Sequence, residues 1–201
     1  WDDPRLCLHL HLPLQSGCDR TLKRMARRTT QQDFRALVAA ARAAAPDIRI
    51  TSDLIVGFPG ETDAEFAESA AFVESLDFAG LHVFPYSLRT GTPAARLRGQ
   101  VADAVKKARA ARMLALSAEQ ERRYSTRYVG QIRPVLWENI AGVAEDGFLN
   151  VGYTDNYVRV KCTHPRPLTN LITAARLDSY DADAQVMHVT PALDDGLEPR
   201  T

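Results

Sequence analysis

The chain has 201 residues, of which 45% are hydrophobic, enough for one large domain or two small ones with buried cores. Its 25 lysines and arginines are balanced by 25 acidic residues, so no overall field indicates a nucleic acid or a membrane as the partner. The three cysteines, Cys7, Cys18 and Cys162, are too widely spaced for a disulfide framework or a self-contained metal site. They fit a reducing compartment such as the cytoplasm, and no apolar run reaches membrane-spanning length.

The first predicted element is a strand from Leu6 to Leu14, in which leucine alternates with cysteine, histidine or proline. Its polar face carries His9 and His11 and leads into a polar turn at Gln15. The two histidines either have a structural role or line a cavity. As a metal site the pair is incomplete, because no third ligand lies nearby in sequence.

A short basic helix, capped by Asp19, is predicted next. It contains five basic residues and no acidic one: Arg20, Lys23, Arg24, Arg27 and Arg28. Such a run is either a solvated helix face or a cluster that binds phosphate or carboxylate. The absence of acidic residues favours anion binding.

The central element is a buried strand, 49–56, which leads directly into the turn Gly57-Phe58-Pro59-Gly60. An amphipathic helix between Thr30 and Pro46 precedes it, and the capping-box pair of Thr62 and Glu65 begins the next helix. The carboxyl end of such a strand commonly holds a ligand in α/β proteins. The glycines would let the backbone approach a bound molecule, although a tight connection without a ligand is the alternative.

The same alternation continues with a helix to Leu76 and a strand from Gly80 to Tyr86. Ser87 to Gln100 is a loop that we expect to cover a site, and a long charged helix runs from Val101 to about Tyr128. This order predicts parallel strands in an α/β sheet or barrel.

Helical periodicity ends at Gly130, and short strand-like runs follow: Ile132–Glu138, Gly147–Gly152, Tyr157–Cys162, Leu171–Leu177 and Ala184–Val189. They predict a small barrel. Such barrels often bind single-stranded nucleic acid through aromatic and basic side chains, although this segment is net acidic. The candidate RNA-binding residues are Tyr153, Asn156, Tyr157, Arg159 and Lys161. The residues after Pro191 are predicted to be a disordered tail.

Three segments together resemble the radical S-adenosylmethionine methylthiotransferases: His9–Gly17, Thr51–Glu61 and Phe84–Ser87. The similarity extends from about Leu6 to Val189, with the motifs in the family's order. It implies that residues 1–128 are the later half of a radical SAM partial (β/α) barrel. Residues 129–190 would be a TRAM domain, a small all-β, RNA-binding barrel, and residues 191–201 a tail.

Within this family, three further segments look most like the tRNA N6-threonylcarbamoyladenosine methylthiotransferases: Gly17–Asp19, Leu81–Ser87 and Val151–Tyr157. The resemblance implies addition of a methylthio group to C2 of that nucleoside, next to the anticodon. Relatives that act on isopentenyladenosine in tRNA or on an aspartate of a ribosomal protein rank next. The implied partners are the tRNA anticodon stem-loop and a reductant protein such as flavodoxin or ferredoxin.

The resemblance implies two cofactors, S-adenosylmethionine and 4Fe–4S clusters, the radical-generating cluster being held by a Cys-x-x-x-Cys-x-x-Cys motif. Reduction through the cluster would cleave S-adenosylmethionine to a radical that takes hydrogen from C2. The implied cofactor-binding residues are Gln15, Ser16, Arg28, Ile55, Gly57, Phe58, Gly60, Phe84 and Tyr86. In this hypothesis Ile55 packs on the adenine, and main-chain groups of Val83–Tyr86 bond to it. The strand ends at Gln15, Gly57 and Phe84 should then converge on one pocket.

The chain departs from the family in lacking the three-cysteine motif, whose thiolates such clusters require. The first residue is Trp1, so we expect the cluster-binding segment upstream and predict that this polypeptide alone is inactive. One alternative is a stand-alone RNA-binding protein. Another is an ordinary α/β enzyme that binds a nucleotide at Gly57–Gly60.

Overall fold

The computed structural model describes residue 3 and residues 6–192. The chain divides into two compact units, which we call the sheet unit (Leu10–Gln120) and the barrel unit (Trp1–His9 with Glu121–Thr201). The predicted domain boundary after residue 128 stays a prediction. None of the helices in the described ranges is long and apolar enough to cross a membrane.

The sheet has the order β1-β2-β3, formed by β1 (His9–His11), β2 (Arg49–Val56) and β3 (Gly80–Pro85). β2 and β3 are parallel, as predicted. β1 is shorter than predicted because Pro13 has no N–H to donate. Pairing with β2 nevertheless continues beyond it, through a parallel bridge between Gln15 and Leu54.

Four helices accompany the sheet: α1 (Asp19–Arg24), α2 (Gln31–Ala44), α3 (Asp63–Leu76) and α4 (Asp103–Thr126). A 3₁₀ turn, Pro93–Arg96, lies in the loop after β3. The predicted capping box of Thr62 and Glu65 at the start of α3 is confirmed. α1 ends earlier than predicted, and Ala26 beyond it adopts a left-handed conformation with φ of 57°.

The core of the sheet unit lies on one side of the sheet. Ile50, Leu54 and Val56 of β2 are each 1% exposed, and buried apolar residues of α2 and α3 belong to the same core: Phe34, Val38, Phe66, Phe72, Val73 and Leu76. On the opposite face Asp53 and Ile55 are half-buried. Part of that face, at Asp53 and Ile55, is therefore accessible within the sheet unit.

The barrel unit contains five strands: β4 (Ile132–Ala144), β5 (Gly147–Thr154), β6 (Arg159–His164), β7 (Ile172–Asp181) and β8 (Val186–Ala192). They close in the order β4-β5-β6-β8-β7, which confirms the predicted small barrel. Trp137 is fully buried at its centre and donates from Nε1 to Thr173 Oγ1 at 2.9 Å.

The strand boundaries in the barrel differ from prediction, most of all in β4, which continues to Ala144 rather than ending at Glu138. β6 begins at Arg159 rather than Tyr157, because Tyr157 is left-handed with φ of 63° and forms the preceding turn. β8 continues through Pro191 to Ala192, so the start of the predicted tail is part of a strand. Residues 193–201, the rest of that predicted tail, lie outside the described residues.

Candidate functional site

The carboxyl ends of the three strands lie side by side at one edge of the sheet. The Gln15 C=O accepts a hydrogen bond from the Ile55 N–H at 2.9 Å, and the Tyr86 N–H donates to the Val56 C=O at 2.8 Å. Ile55 lies opposite Phe84 in the register of β2 and β3. Ligands in α/β proteins bind at this end of parallel strands.

A cavity of about 440 Å³ opens at these strand ends. It combines apolar surface with a primary amide, a carboxylate and a guanidinium, and is lined by Gln15, Asp53, Ile55, Phe84, Pro85, Tyr86, Ser87, Arg89, Thr92 and Ala94. Apolar walls with a few polar groups are typical of small-molecule sites. We call it the strand-end cavity.

Four of the predicted cofactor-binding residues line this cavity together: Gln15, Ile55, Phe84 and Tyr86. The loop after β3 contributes Ser87, Arg89 and Thr92, as expected of a covering loop. Sequence reasoning did not assign Asp53 or Arg89 to the site. The signal for Asp53 was available, since it lies two residues before Ile55 and therefore on the same face of β2.

The backbone at Gln15 is held in an unusual conformation, with φ of 71°. Its N–H donates to the Asp53 C=O at 2.9 Å, so both main-chain groups of Gln15 are used in the ladder. A left-handed non-glycine residue costs about 1–3 kcal/mol and persists where the surroundings require it. Here the strained turn coincides with a side chain that lines the cavity.

Tyr86 lies at the cavity wall with its ring edge against Phe58, at a centroid distance of 5.3 Å. Its hydroxyl is buried without a hydrogen-bond partner. The main-chain groups of Tyr86 are both engaged, since the C=O accepts from Lys106 Nζ at 3.2 Å. The N–H of Tyr86 is therefore used within the sheet, whereas its C=O keeps a second lone pair, and the adenine contact implied at this strand end stays a prediction.

The turn after β2 is filled by the chain itself. Gly57 has φ of 72°, and a Cβ at this position would overlap the side chain of Lys106. At the other end of the turn, Gly60 donates from its N–H to the Gly99 C=O at 2.7 Å. Gly57 and Gly60 thus permit a close approach of Lys106 and Gly99, and the approach of a ligand to this turn stays a prediction.

The buried carboxylate of Glu61 holds this turn through its hydrogen bonds. Glu61 accepts a hydrogen bond from the Gly57 N–H at 2.6 Å and pairs with Arg109 at 2.7 Å. The side chains of Glu61 and Arg109 are 1% and 6% exposed, and Arg109 also binds Asp63 at 2.7 Å. Burial raises the pKa of Glu61, with Gly57 and Arg109 acting in the opposite direction.

The remaining predicted cofactor residues lie away from the cavity lining. Ser16 is fully buried and accepts from the Cys18 N–H at 3.3 Å. Phe58, within the turn itself, is only 7% exposed. Arg28 is exposed and lies beyond the end of α1. With Gly57 and Gly60, these residues shape or surround the turn and do not line the strand-end cavity.

The basic helix α1 is held by acidic residues of α3. Arg24 donates two hydrogen bonds to Glu65, at 3.0 and 2.6 Å, and Arg20 binds Glu68 at 3.2 Å. Arg24 lowers the pKa of the Glu65 carboxyl to about 2. The prediction of an anion-binding cluster is therefore wrong for Arg20 and Arg24, whose partners lie in α3.

A second groove, of about 790 Å³, lies between the end of β3 and α4. Tyr86 and Ser87 also line it, but its other wall is the helix surface of Lys107, Ala110 and Leu114. It is larger than the strand-end cavity but receives no residue from β1 or β2. We therefore take the strand-end cavity as the candidate site.

On the barrel unit, aromatic side chains form a stack. The ring of His9 lies parallel to Tyr157 at a centroid distance of 4.4 Å, and Tyr157 lies 5.3 Å from Tyr153. Tyr157 is 39% exposed, and Arg159 is paired with Tyr153 across β5 and β6. An exposed aromatic stack beside a guanidinium is the arrangement that single-stranded nucleic acids bind.

The other two predicted RNA-binding residues are less suited to that role. Lys161 forms an ion pair with Asp181 at 3.3 Å. Asn156 is fully buried, where its Oδ1 accepts from Thr154 Oγ1 at 2.6 Å and its C=O accepts from Tyr124. A surface contact to RNA by Asn156 is therefore wrong for this conformation, and its side chain instead shapes the turn.

Comparison with known proteins identifies relatives of this chain. Residues 5–73 match the family model described as the radical SAM superfamily. The chain is 45% identical over 152 residues, 76% of its length, to "Threonylcarbamoyladenosine tRNA methylthiotransferase MtaB" of Bacillus subtilis, covering 34% of that protein. The Thermotoga maritima protein of the same name is 42% identical over 159 residues, 78% of this chain and 35% of that protein.

A relative with a different name matches over more of the chain. "tRNA-2-methylthio-N(6)-dimethylallyladenosine synthase" of Methylococcus capsulatus is 39% identical over 180 residues, 89% of this chain and 39% of that protein. The chain thus spans between a third and two fifths of the length of these relatives. On these matches, the chain belongs to the radical S-adenosylmethionine methylthiotransferase family.

Proposed function

We propose that this chain is part of a tRNA methylthiotransferase that adds a methylthio group to C2 of N6-threonylcarbamoyladenosine next to the anticodon. The observation that carries the proposal is the strand-end cavity, in which residues of three parallel strands meet. The names of the Bacillus and Thermotoga relatives support the choice of nucleoside.

In this proposal S-adenosylmethionine binds in the strand-end cavity, where it supplies radical and methyl-transfer chemistry. The chain's own residues hold it. Ile55 and Phe84 cover the apolar faces of the adenine and exclude water from them. Gln15 presents an amide that both donates and accepts. Arg89 is the cavity's cation for a carboxylate.

The cysteines of the described residues do not fit an iron–sulfur cluster. Cys7 is exposed, whereas Cys18 and Cys162 are buried at separate positions. Burial raises the pKa of the Cys162 thiol to about 11, which disfavours the thiolate that a cluster needs. We therefore assign no step to a cluster held by these residues, and propose that its ligands lie outside them.

The barrel is the proposed tRNA-binding surface, through Tyr153, Tyr157 and Arg159. Loss of one stacking side chain costs about 1–3 kcal/mol. Tyr157→Ala should thus weaken binding of an anticodon stem-loop about 5- to 150-fold, as measured by fluorescence anisotropy. Thr163→Ala, an exposed position on β6, is the control and should change the affinity little. Equal effects of both substitutions would contradict the proposed surface.

The activity is tested by expressing the complete gene in a strain whose tRNA lacks the methylthio group. Mass spectrometry of the tRNA nucleosides should detect 2-methylthio-N6-threonylcarbamoyladenosine. Detection of the methylthiolated dimethylallyladenosine would instead favour the activity named for the Methylococcus relative. If neither product appears and a ribosomal-protein aspartate carries the group, the proposal of a tRNA substrate is overturned.

A further inference from the structure

Three side chains that are far apart in sequence lie together on the open face of the sheet. His11, Asp53 and His82 come from β1, β2 and β3. Asp53 Oδ1 lies 3.2 Å from His11 Nε2 and 3.2 Å from His82 Nδ1. Among the described residues, this is the group of three potential metal ligands whose donor atoms all lie within 4.8 Å of one another.

The spacing of these atoms suits coordination of one divalent ion. Zinc binds histidine nitrogen and carboxylate oxygen at about 2.0–2.2 Å, which places two ligands of a tetrahedral site roughly 3.3 Å apart. The two distances of 3.2 Å from Asp53 Oδ1 match such tetrahedron edges. The imidazole rings are also close to parallel, with centroids 5.3 Å apart and an interplanar angle of 27°.

A neighbouring hydroxyl orients one of the ligands. His11 Nδ1 lies 3.0 Å from Thr51 Oγ1, and Thr51 is 7% exposed. Metal-binding histidines usually donate their other ring N–H to an oxygen in this way. In the tautomer that places its proton on Nδ1, His11 donates to Thr51 and turns the Nε2 lone pair towards the Asp53 carboxylate. A cation between these two acceptors would satisfy both.

We propose that His11, Asp53 and His82 form a binding site for a first-row divalent transition metal, separate from the family's iron–sulfur clusters. Two imidazoles and one carboxylate are a donor set for zinc or non-haem iron with open positions. The side chains of His11, Asp53 and His82 are 33%, 27% and 64% exposed. Water or a substrate oxygen can therefore complete the coordination shell. Asp53 also lines the strand-end cavity, so the ion would lie beside the cofactor pocket.

The test measures Zn²⁺ binding to the chain directly, without any assay of activity. Cys7→Ser serves as the parent, because the exposed thiol of Cys7 could bind zinc itself. Isothermal titration and metal analysis after dialysis should give one Zn²⁺ per chain. Asp53→Asn keeps the shape of the side chain and His82→Ala removes a ligand. Each should weaken the binding at least tenfold, and Thr51→Val should weaken it less.

His188→Ala provides a matched control, because His188 lies 3.7 Å from Asp181 on the barrel unit without a third ligand in the group. Its zinc affinity should equal that of the parent. Thermal unfolding without metal identifies any variant that fails to fold. Asp53→Asn and His82→Ala each test the site, so either one is sufficient if the other does not fold. No saturable zinc binding by the parent, or parent-like zinc affinity in both Asp53→Asn and His82→Ala, would overturn the site. Hydrogen bonds from the histidines to Asp53 would then be the whole role of this cluster.

Discussion

Two left-handed turns at neighbouring strand ends are used in opposite ways. At Gly57, after β2, the space that a side chain would occupy is taken by Lys106, and Glu61 holds the turn from below. At Gln15, after β1, the strained residue carries a side chain that lines the strand-end cavity. A glycine in a βα turn therefore does not by itself mark a ligand. A strained non-glycine residue is informative where its side chain also lines a cavity, as at Gln15.

The largest effect should come from breaking the buried ion pair beneath the Gly57 turn. Arg109→Ala leaves the Glu61 carboxylate buried without its cation, which should lower the free energy of unfolding by about 3–5 kcal/mol. Urea denaturation measures this. Arg112→Ala is a matched control, because both guanidinium groups lie over the Phe66 ring, at 5.3 and 5.5 Å. Equal losses in the two variants would show that the ring contact is what matters.

The second effect concerns the pair of Arg24 and Glu65 beside the same turn. Glu65→Gln removes a charge-assisted contact and should cost about 1.5–3 kcal/mol. Because the pKa of Glu65 is lowered from 4.5 to about 2 in the folded protein, its contribution is fully present above pH 4.5. It is lost as the pH falls towards 2. The variant should show a flatter dependence of stability on pH in that window.

Glu68→Gln is the control for this pH dependence, since Glu68 pairs with Arg20 at a more exposed position. Exposed ion pairs contribute about 0–1 kcal/mol, so this variant should keep the acid sensitivity of the parent. A parent-like pH profile for Glu65→Gln would contradict the assignment.

A third substitution separates backbone strain from packing at the turn. Gly57→Ala should cost about 2 kcal/mol, since it combines a left-handed alanine with a clash against Lys106. Gly91→Ala is the matched control. Gly91 has φ of 88°, and a Cβ at this position would have no atom within 4 Å outside its chain neighbours. Its cost measures strain alone. Equal destabilisation by the two substitutions would mean that Lys106 moves aside freely and that the turn is open to a ligand.

The smallest expected effect on stability is at Gln15. Gln15→Gly relieves the left-handed strain and should raise the free energy of unfolding by up to about 1 kcal/mol. Ala26→Gly, at another left-handed position, should give a similar gain and is the comparison. A clear loss of stability in Gln15→Gly would show that the side chain is needed for the fold rather than for a ligand.

The local elements were largely predictable from sequence, while partners across the fold were not. The strand 49–56 and the capping box of Thr62 and Glu65 depend on neighbouring residues, and they appear as predicted. The cation partner of Glu61 is Arg109 on α4, far along the chain. No local pattern in the sequence indicates such a pair.

The same limit explains the errors in the predicted sites. The predicted basic helix, Arg20 to Arg28, contains no acidic residue. In the structure, however, α3 supplies Glu65 and Glu68 as partners from a distant part of the chain. Asparagine is common in surface turns, yet Asn156 is buried, with hydrogen bonds to Thr154 and Tyr124. Residue type and spacing indicate what a segment can do, whereas burial depends on what packs against it.

The central claim is that S-adenosylmethionine binds in the strand-end cavity, and a calorimetric titration of the protein with this ligand tests it most directly. Phe84→Ala removes an apolar wall of that cavity, while Leu114→Ala alters only the groove against α4. The account predicts that Phe84→Ala weakens binding about tenfold or more and that Leu114→Ala leaves it unchanged. Weaker binding in Leu114→Ala with parent-like binding in Phe84→Ala would contradict it and place the ligand in the other groove.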